Sequence, residues 1–195
     1  MFDVKQRLVI SGLWKLPFGK KIQNGFLRKL ADGWETSGIA SFQTGTPFTI
    51  YSASGSSQEQ SFLERADLVG PIHTFAPRSL HSFDASASSC LPGSVANGHF
   101  FFDPSAFDCN NALFTFGDSG RNIMRGPGLN HFDLSVGRTF SVTESKSIEF
   151  RSEFFNAFNH AQFFNPDHTG FDANFGQITQ AHDPRIIQFA LKFYF

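Results

Sequence analysis

The sequence predicts an all-β chain: an antiparallel transmembrane β-barrel segment of about five strands with long extracellular loops, forming an open, incomplete barrel. Three observations predict it. Phenylalanine is in large excess, with 27 Phe against 2 Tyr and 2 Trp. Several segments alternate apolar and polar residues with period two. The links between those segments switch between short and long, as they do in transmembrane barrels.

The first strand is expected near residues 4–16. Leu8, Ile10, Gly12 and Trp14 share one face, with Lys5, Arg7, Ser11 and Lys15 opposite. Val9 and Leu13 blur the alternation. Residues 17–32 link it onward, and Phe26-Leu27-Arg28-Lys29-Leu30 has room for one helical turn. The second strand is expected as one long run over 33–51. Trp34, Gly38, Ala40, Phe42, Phe48 and Ile50 lie on one face, and Glu35, Ser37, Ser41, Gln43 and Thr49 on the other. Gly45-Thr46-Pro47 interrupts it or marks a bulge.

The third strand is expected over 129–141, where Phe132, Leu134, Val136 and Phe140 alternate with Asp133, Ser135, Gly137 and Thr139. Arg138 falls on the apolar face near one end, where a long side chain can snorkel. A short hairpin turn, 142–146, leads to the fourth strand over 146–158. There Ile148, Phe150 and Phe154 share a face with Ser152. Glu149, Arg151 and Glu153 lie opposite, as lumen-facing charges. The fifth strand is expected over 185–195. Ile187, Phe189, Leu191, Phe193 and Phe195 form its lipid face, with Gln188, Ala190, Lys192 and Tyr194 opposite. A strand of about 9–11 residues is long enough to cross a tilted path through a bilayer.

Two long connections remain, 52–125 and 159–184. Both are rich in Ser, Gly, Pro and Asn, and weak order is expected in the longer one. The parity of long and short links puts both on the extracellular side. Residues 17–32 and 142–146 are then periplasmic.

Composition excludes other classes. Lys and Arg total 16 against 17 Asp and Glu, so no basic field invites nucleic acid. No run of about 18 apolar residues offers a transmembrane helix. The first residues lack the basic start and apolar middle of a signal peptide. Cys90 and Cys109 share one connection. An oxidising compartment would allow a disulfide between them, and two separate thiols is an equal alternative. Gly117-Asp118-Ser119-Gly120 has the string of a serine nucleophile, but no His motif accompanies it, so no enzyme is expected. His160, His168 and His182 with Asp167, Asp172 and Asp183 have no known metal-ligand spacing. They read as loop decoration, and no cofactor is expected. Phe100-Phe101-Phe102, Phe114 and Phe116 read as packing within a loop rather than as a ligand site.

Several strings carry a resemblance. They are Leu16-Pro17-Phe18-Gly19-Lys20, Gly33-Trp34 and Phe42-Gln43-Thr44-Gly45-Thr46-Pro47-Phe48. Phe102-Asp103-Pro104-Ser105-Ala106-Phe107, Gly120-Arg121-Asn122 and Arg125-Gly126-Pro127-Gly128 follow. The last are Glu153-Phe154-Phe155-Asn156-Ala157-Phe158-Asn159-His160 and Phe175-Gly176-Gln177-Ile178-Thr179. In order and spacing, nearly the whole chain resembles the C-terminal end of Oar-like TonB-dependent receptors. The resemblance implies a cell outer membrane location and a barrel of about 22 strands with an N-terminal plug. It implies energy taken from the inner membrane through a periplasmic partner. It also implies that the last strand, Ile187 to Phe195, is read by the outer-membrane barrel assembly machinery.

Residues 1–195 are then expected to be the C-terminal part of such a barrel, with no plug domain and the front of the protein missing. A closed barrel needs at least about eight strands. The segment is therefore not expected to transport alone. Its partners would be outer-membrane lipid, the assembly machinery, and the remaining strands and plug of the receptor. The alternative is a soluble Phe-rich β-barrel or sandwich that binds a ligand inside. Period two alone does not separate the two, because it fixes faces but not which face meets solvent.

Overall fold

The computed structural model describes residues 3–18, 22–52, 64–93, 97–110 and 115–195. In chain order these form β1 (Arg7–Lys15), α1 (Gly25–Ala31) and β2 (Trp34–Gln43). Short strands follow: β3 (Pro47–Phe48), β4 (Asp67–Leu68), β5 (His81–Ser82), β6 (Asn97–Gly98), β7 (Phe107–Asp108) and β8 (Met124–Arg125). The chain then makes β9 (Leu129–Ser141), β10 (Ser147–Phe155) and β11 (Ile186–Tyr194). One open sheet of five strands has the order β1-β2-β9-β10-β11, antiparallel throughout.

The register sorts side chains by face. Ile10 pairs with Ala40, Ala40 with Phe132, Phe150 with Leu191 and Phe154 with Ile187, and all are apolar-face positions. Glu35 pairs with Gly137, Gly137 with Arg151, and Glu149 with Lys192 on the other face. A one-residue slip anywhere would put charges among the phenylalanines, so the pattern fixes the register. The long connections 44–128 and 156–185 both start and finish at the same end of the strands. The short links 16–33 and 142–146 share the opposite end.

The chain divides into two compact units. The sheet unit holds Gln6–Gln43, Leu129–Ala161 and Asp183–Phe195, and the second unit holds Met1–Lys5, Thr44–Gly128 and Gln162–His182.

Three expectations change. The second strand does not run over 33–51: the five-stranded sheet keeps it only to Gln43, and Pro47–Phe48 pairs instead with Met124–Arg125 in the second unit. Pro47 has no N–H to give a ladder, which suits a two-residue pairing and not a long strand. The fourth strand stops at Phe155 rather than 158. Asn156 and Asn159 take φ of 50° and 52°, in the left-handed region that asparagine tolerates. Asn156 Oδ1 accepts from His160 N at 3.0 Å, and Asn159 Oδ1 accepts from Arg185 N at 3.0 Å. Asparagine chemistry therefore turns the chain where apolar periodicity alone would continue it.

The third change concerns the long connection. Its described residues are packed rather than weakly ordered, while 53–63, 94–96 and 111–114 lie outside the described residues. Phe100, Phe102, Phe107 and Phe175 are fully buried, with Ile50, Cys90 and Cys109 around them. Phe102 meets Phe107 and Phe175 edge-to-face at 5.6 and 5.4 Å. Cys90 and Cys109 are joined by a disulfide. Closing a loop of 19 residues contributes about 3 kcal/mol by restricting the unfolded chain. Average composition diluted these few phenylalanines among many Ser and Gly, so the core was not visible in it.

His168 carries a pH prediction for this unit. Its ring stands 5.5 Å from Phe48 and 5.9 Å from Tyr51. Burial there lowers its pKa below the ordinary 6.5, against the opposing pull of Asp167. The unfolded chain then binds the proton more readily than the folded one. Stability conferred by neutral His168 is complete above pH 6.5 and falls as the pH drops from 6.5 toward the lowered value. Thermal melts between pH 7 and 5 should show this fall, and His168→Phe should flatten it. An unchanged slope in the variant would assign the effect elsewhere.

Candidate functional site

The polar face of the sheet gathers a cluster of charged side chains. Glu149, Arg151 and Glu153 come from β10, Lys192 and Tyr194 from β11, Lys15 from β1 and Glu35 from β2. Three pairs form among them. Tyr194 donates to Glu149 Oε2 at 2.6 Å. Lys15 Nζ lies 3.2 Å from Glu35 Oε1. Arg151 Nε lies 3.3 Å from Glu153 Oε1, close enough for an ion pair but without hydrogen-bond alignment. Exposed pairs of this kind are each worth about 0–1 kcal/mol, so they shape the surface more than they hold it.

A groove of about 350 Å3 runs between these charges, lined by Leu13, Glu35, Ser37, Ser135, Glu149 and Arg151. Its position follows from Gly137, which faces Glu35 on one side and Arg151 on the other. With no side chain at 137, the centre of the polar face is a trough between carboxylates and a guanidinium. Such a surface can hydrate and guide a polar solute.

The opposite face is apolar and open. Ile187, Phe189, Leu191 and Phe193 line up on β11, with Phe189 68% and Leu191 57% exposed. Phe195 lies past the end of β11 and is fully exposed. Phe150 stacks on Phe189 at 6.3 Å on this face. Aromatic side chains stand near both ends of the face. Trp14, Trp34 and Phe140 are at the short-link end, and Phe42 and Phe132 at the other. Two aromatic girdles flanking an apolar band are the surface pattern of a barrel in a bilayer.

The remaining candidates are structural. Asp118 Oδ1 accepts from Leu68 N at 2.8 Å, and Asp118 N donates to Asp67 Oδ1 at 2.8 Å. Ser119 N donates to Ala66 O at 3.2 Å. A Cβ at Gly117 would collide with the Arg65 carbonyl, so this position needs glycine for close backbone approach. The Gly-Asp-Ser-Gly string is thus a packed corner. Among the described residues no three His, Cys, Asp or Glu side chains are grouped to hold a metal. His168 packs against Phe48 and Tyr51, while His182 stacks on Phe164 at 3.9 Å. His160 and Asp183 belong to the sheet unit, where Asn156 Nδ2 donates to their backbone carbonyls. Asp172 Oδ1 accepts from Asn174 N. Phe100, Phe101 and Phe102 are buried core, Phe116 is exposed, and Phe114 lies outside the described residues.

Sequence reasoning missed the groove at Gly137 and the turn built by Asn156 and Asn159. The Asn-x-x-Asn spacing within a strand-like run was the available signal for the turn.

No curated protein and no solved structure matches the chain. A family model described as an outer membrane beta barrel domain matches residues 1–188. That match covers all five strands in whole or in part, and its membrane setting agrees with an exposed apolar face bounded by aromatics. The chain belongs to the outer membrane β-barrel domain family.

Proposed function

We propose that the chain is a wall segment of a TonB-dependent, Oar-like receptor that moves a solute across the outer membrane. One observation carries the reading: a single sheet separates an apolar face from a charged, grooved face. In a barrel wall the first meets lipid and the second lines the hydrated interior. The strings that resemble Oar-like receptors supply the finer assignment. Five strands do not close a barrel, and β1 and β11 each have one free edge among the described residues. Backbone groups left unpaired in lipid cost several kcal/mol each. The working transporter therefore includes further strands, and a plug as the resemblance implies. The free edge of β11 is the natural contact for barrel assembly machinery. The role is transport and not catalysis.

The test uses cells lacking the receptor gene and cells with the complete receptor restored. Accumulation of a panel of large labelled solutes is measured with and without collapse of the proton gradient. At least one solute should require both the receptor and the gradient. If no solute shows that double dependence, the energised-transport reading falls while the barrel remains.

A further inference from the structure

The geometry points to α1 as an interfacial helix that seats in the periplasmic-side leaflet and binds anionic phospholipid headgroups through Arg28 and Lys29. The inference rests on the reading that the apolar face of the sheet meets lipid.

Placement comes first. Trp34 and Arg138 are apolar-face residues, paired across β2 and β9. Both reach the last turn of α1. Trp34 Nε1 donates to Leu30 O at 3.2 Å, and the Arg138 guanidinium donates to the carbonyls of Lys29 and Leu30. Those carbonyls end a helix and lack the next turn's N–H donors. Arg138 also lies over the Phe140 ring, 4.2 Å from its centre, which keeps the guanidinium on this face. The helix is therefore held to the lipid side of the sheet and not to the lumen side. It sits at the short-link end, beside Trp14, Trp34 and Phe140. That is the level of an aromatic girdle, where a bilayer passes from hydrocarbon to headgroups.

Composition comes second. On a helical projection Phe26, Leu27, Leu30 and Ala31 occupy one arc, and Arg28 and Lys29 fall on the other. Every residue of α1 with a side chain of size is open: Phe26 is 76% exposed, Leu27 50% and Leu30 55%. In water such a surface is unfavourable on so short a helix. At an interface the apolar arc enters the acyl boundary, and the two cations meet phosphates. The ends are defined so that the helix holds this orientation. Asn24 Oδ1 caps Phe26 N at 3.0 Å, and Gly33, at φ 81°, turns the chain straight into β2. The apolar arc is continuous with the apolar face already assigned to lipid, so the same bilayer covers both.

The experiment places single nitroxide labels on the complete barrel containing this chain, reconstituted in vesicles of phosphatidylethanolamine with or without phosphatidylglycerol. Cys90 and Cys109 are bonded to each other, so neither of them competes with an introduced thiol for the label. Phe26→Cys and Leu30→Cys report α1, Phe189→Cys the sheet face, and Ser145→Cys the exposed hairpin turn. Collision with oxygen reports lipid, and collision with a water-soluble nickel chelate reports solvent. Phe26→Cys and Leu30→Cys should collide with nickel several-fold less than Ser145→Cys, and Phe189→Cys less still. Adding Arg28→Glu with Lys29→Glu should raise the nickel collisions at both α1 labels in phosphatidylglycerol vesicles.

Nickel collisions at Phe26→Cys equal to those at Ser145→Cys, with Phe189→Cys in lipid, would overturn the inference and leave the barrel standing. Phe189→Cys in water would overturn the barrel reading and this inference together. Depth at α1 that ignores both the charge reversal and phosphatidylglycerol would remove the headgroup contact.

Discussion

Leu191→Arg abolishes assembly of the complete barrel in the outer membrane, and Lys192→Gln leaves assembly intact. The two residues are neighbours on β11 with opposite faces. Leu191 pairs with Phe150, in a row that includes Phe189 and Ile187. Lys192 pairs with Glu149, in the row of charges beside Arg151. Both sit near the middle of their strand, so both lie well inside the bilayer. An arginine facing lipid near the midplane costs about 2–4 kcal/mol. The lost leucine contact with lipid adds roughly 1.5–3 kcal/mol to that. Against a total stability of about 5–15 kcal/mol, the sum is a large fraction. Lys192→Gln removes one exposed charge from a hydrated surface, where an ion pair is worth about 0–1 kcal/mol. The measurement is the heat-modifiable band in outer-membrane fractions of cells making the complete barrel. The reverse outcome, with Leu191→Arg assembling and Lys192→Gln failing, would place the apolar face inside. The soluble Phe-rich barrel would then be the better description.

The same contrast shows what was legible in the sequence. A strand carries its face assignment in every second residue, so Ile187, Phe189, Leu191 and Phe193 announce a face by their spacing alone. The same logic gave all five strands of the sheet and the row of Glu149, Arg151 and Glu153. It failed where the fold depends on single residues with special backbone chemistry. The run over 33–51 breaks after Gln43, at the Gly45-Thr46-Pro47 interruption the sequence offered as one alternative, and Asn156 ends a run whose hydrophobic pattern continues beyond it. It placed Arg138 on the apolar face but did not name its partners, the carbonyls of Lys29 and Leu30, which are remote in sequence. A local pattern cannot name a remote carbonyl. The core of the second unit was legible only in part: Phe100-Phe101-Phe102 read as loop packing, which their burial bears out, while the partners of these rings were hidden for a third reason. Its phenylalanines come from irregular segments with no period, and packing among them is set by tertiary position alone.

That core yields the second large effect. Phe102→Ala unfolds the unit built from the long connections. Phe102 is fully buried, and its ring touches the rings of Phe48, Phe107 and Phe175 at 6.3, 5.6 and 5.4 Å. These partners come from segments far apart in the chain, so one ring ties together β3, β7 and the second connection. Truncating a buried phenylalanine costs about 3–5 kcal/mol, through lost apolar burial and the cavity left behind. Little regular structure is present to absorb that loss. The short strands here pair over two residues each, and hydrogen bonds such as Phe101 N to Gly176 O at 2.8 Å hold only while the rings fix the segments. The disulfide keeps Cys90 and Cys109 together but does not touch β3, so it limits the unfolded chain without restoring the core. Limited proteolysis of the protein in membranes reads the result. Phe102→Ala should be cut rapidly within 97–110, where wild type, with Phe100, Phe102 and Phe107 buried, should resist. Phe116→Ala, at a 73% exposed position, should resist as wild type does. Equal resistance of Phe102→Ala and wild type would mean that this ring does not hold the unit together, and that its segments are stabilised separately.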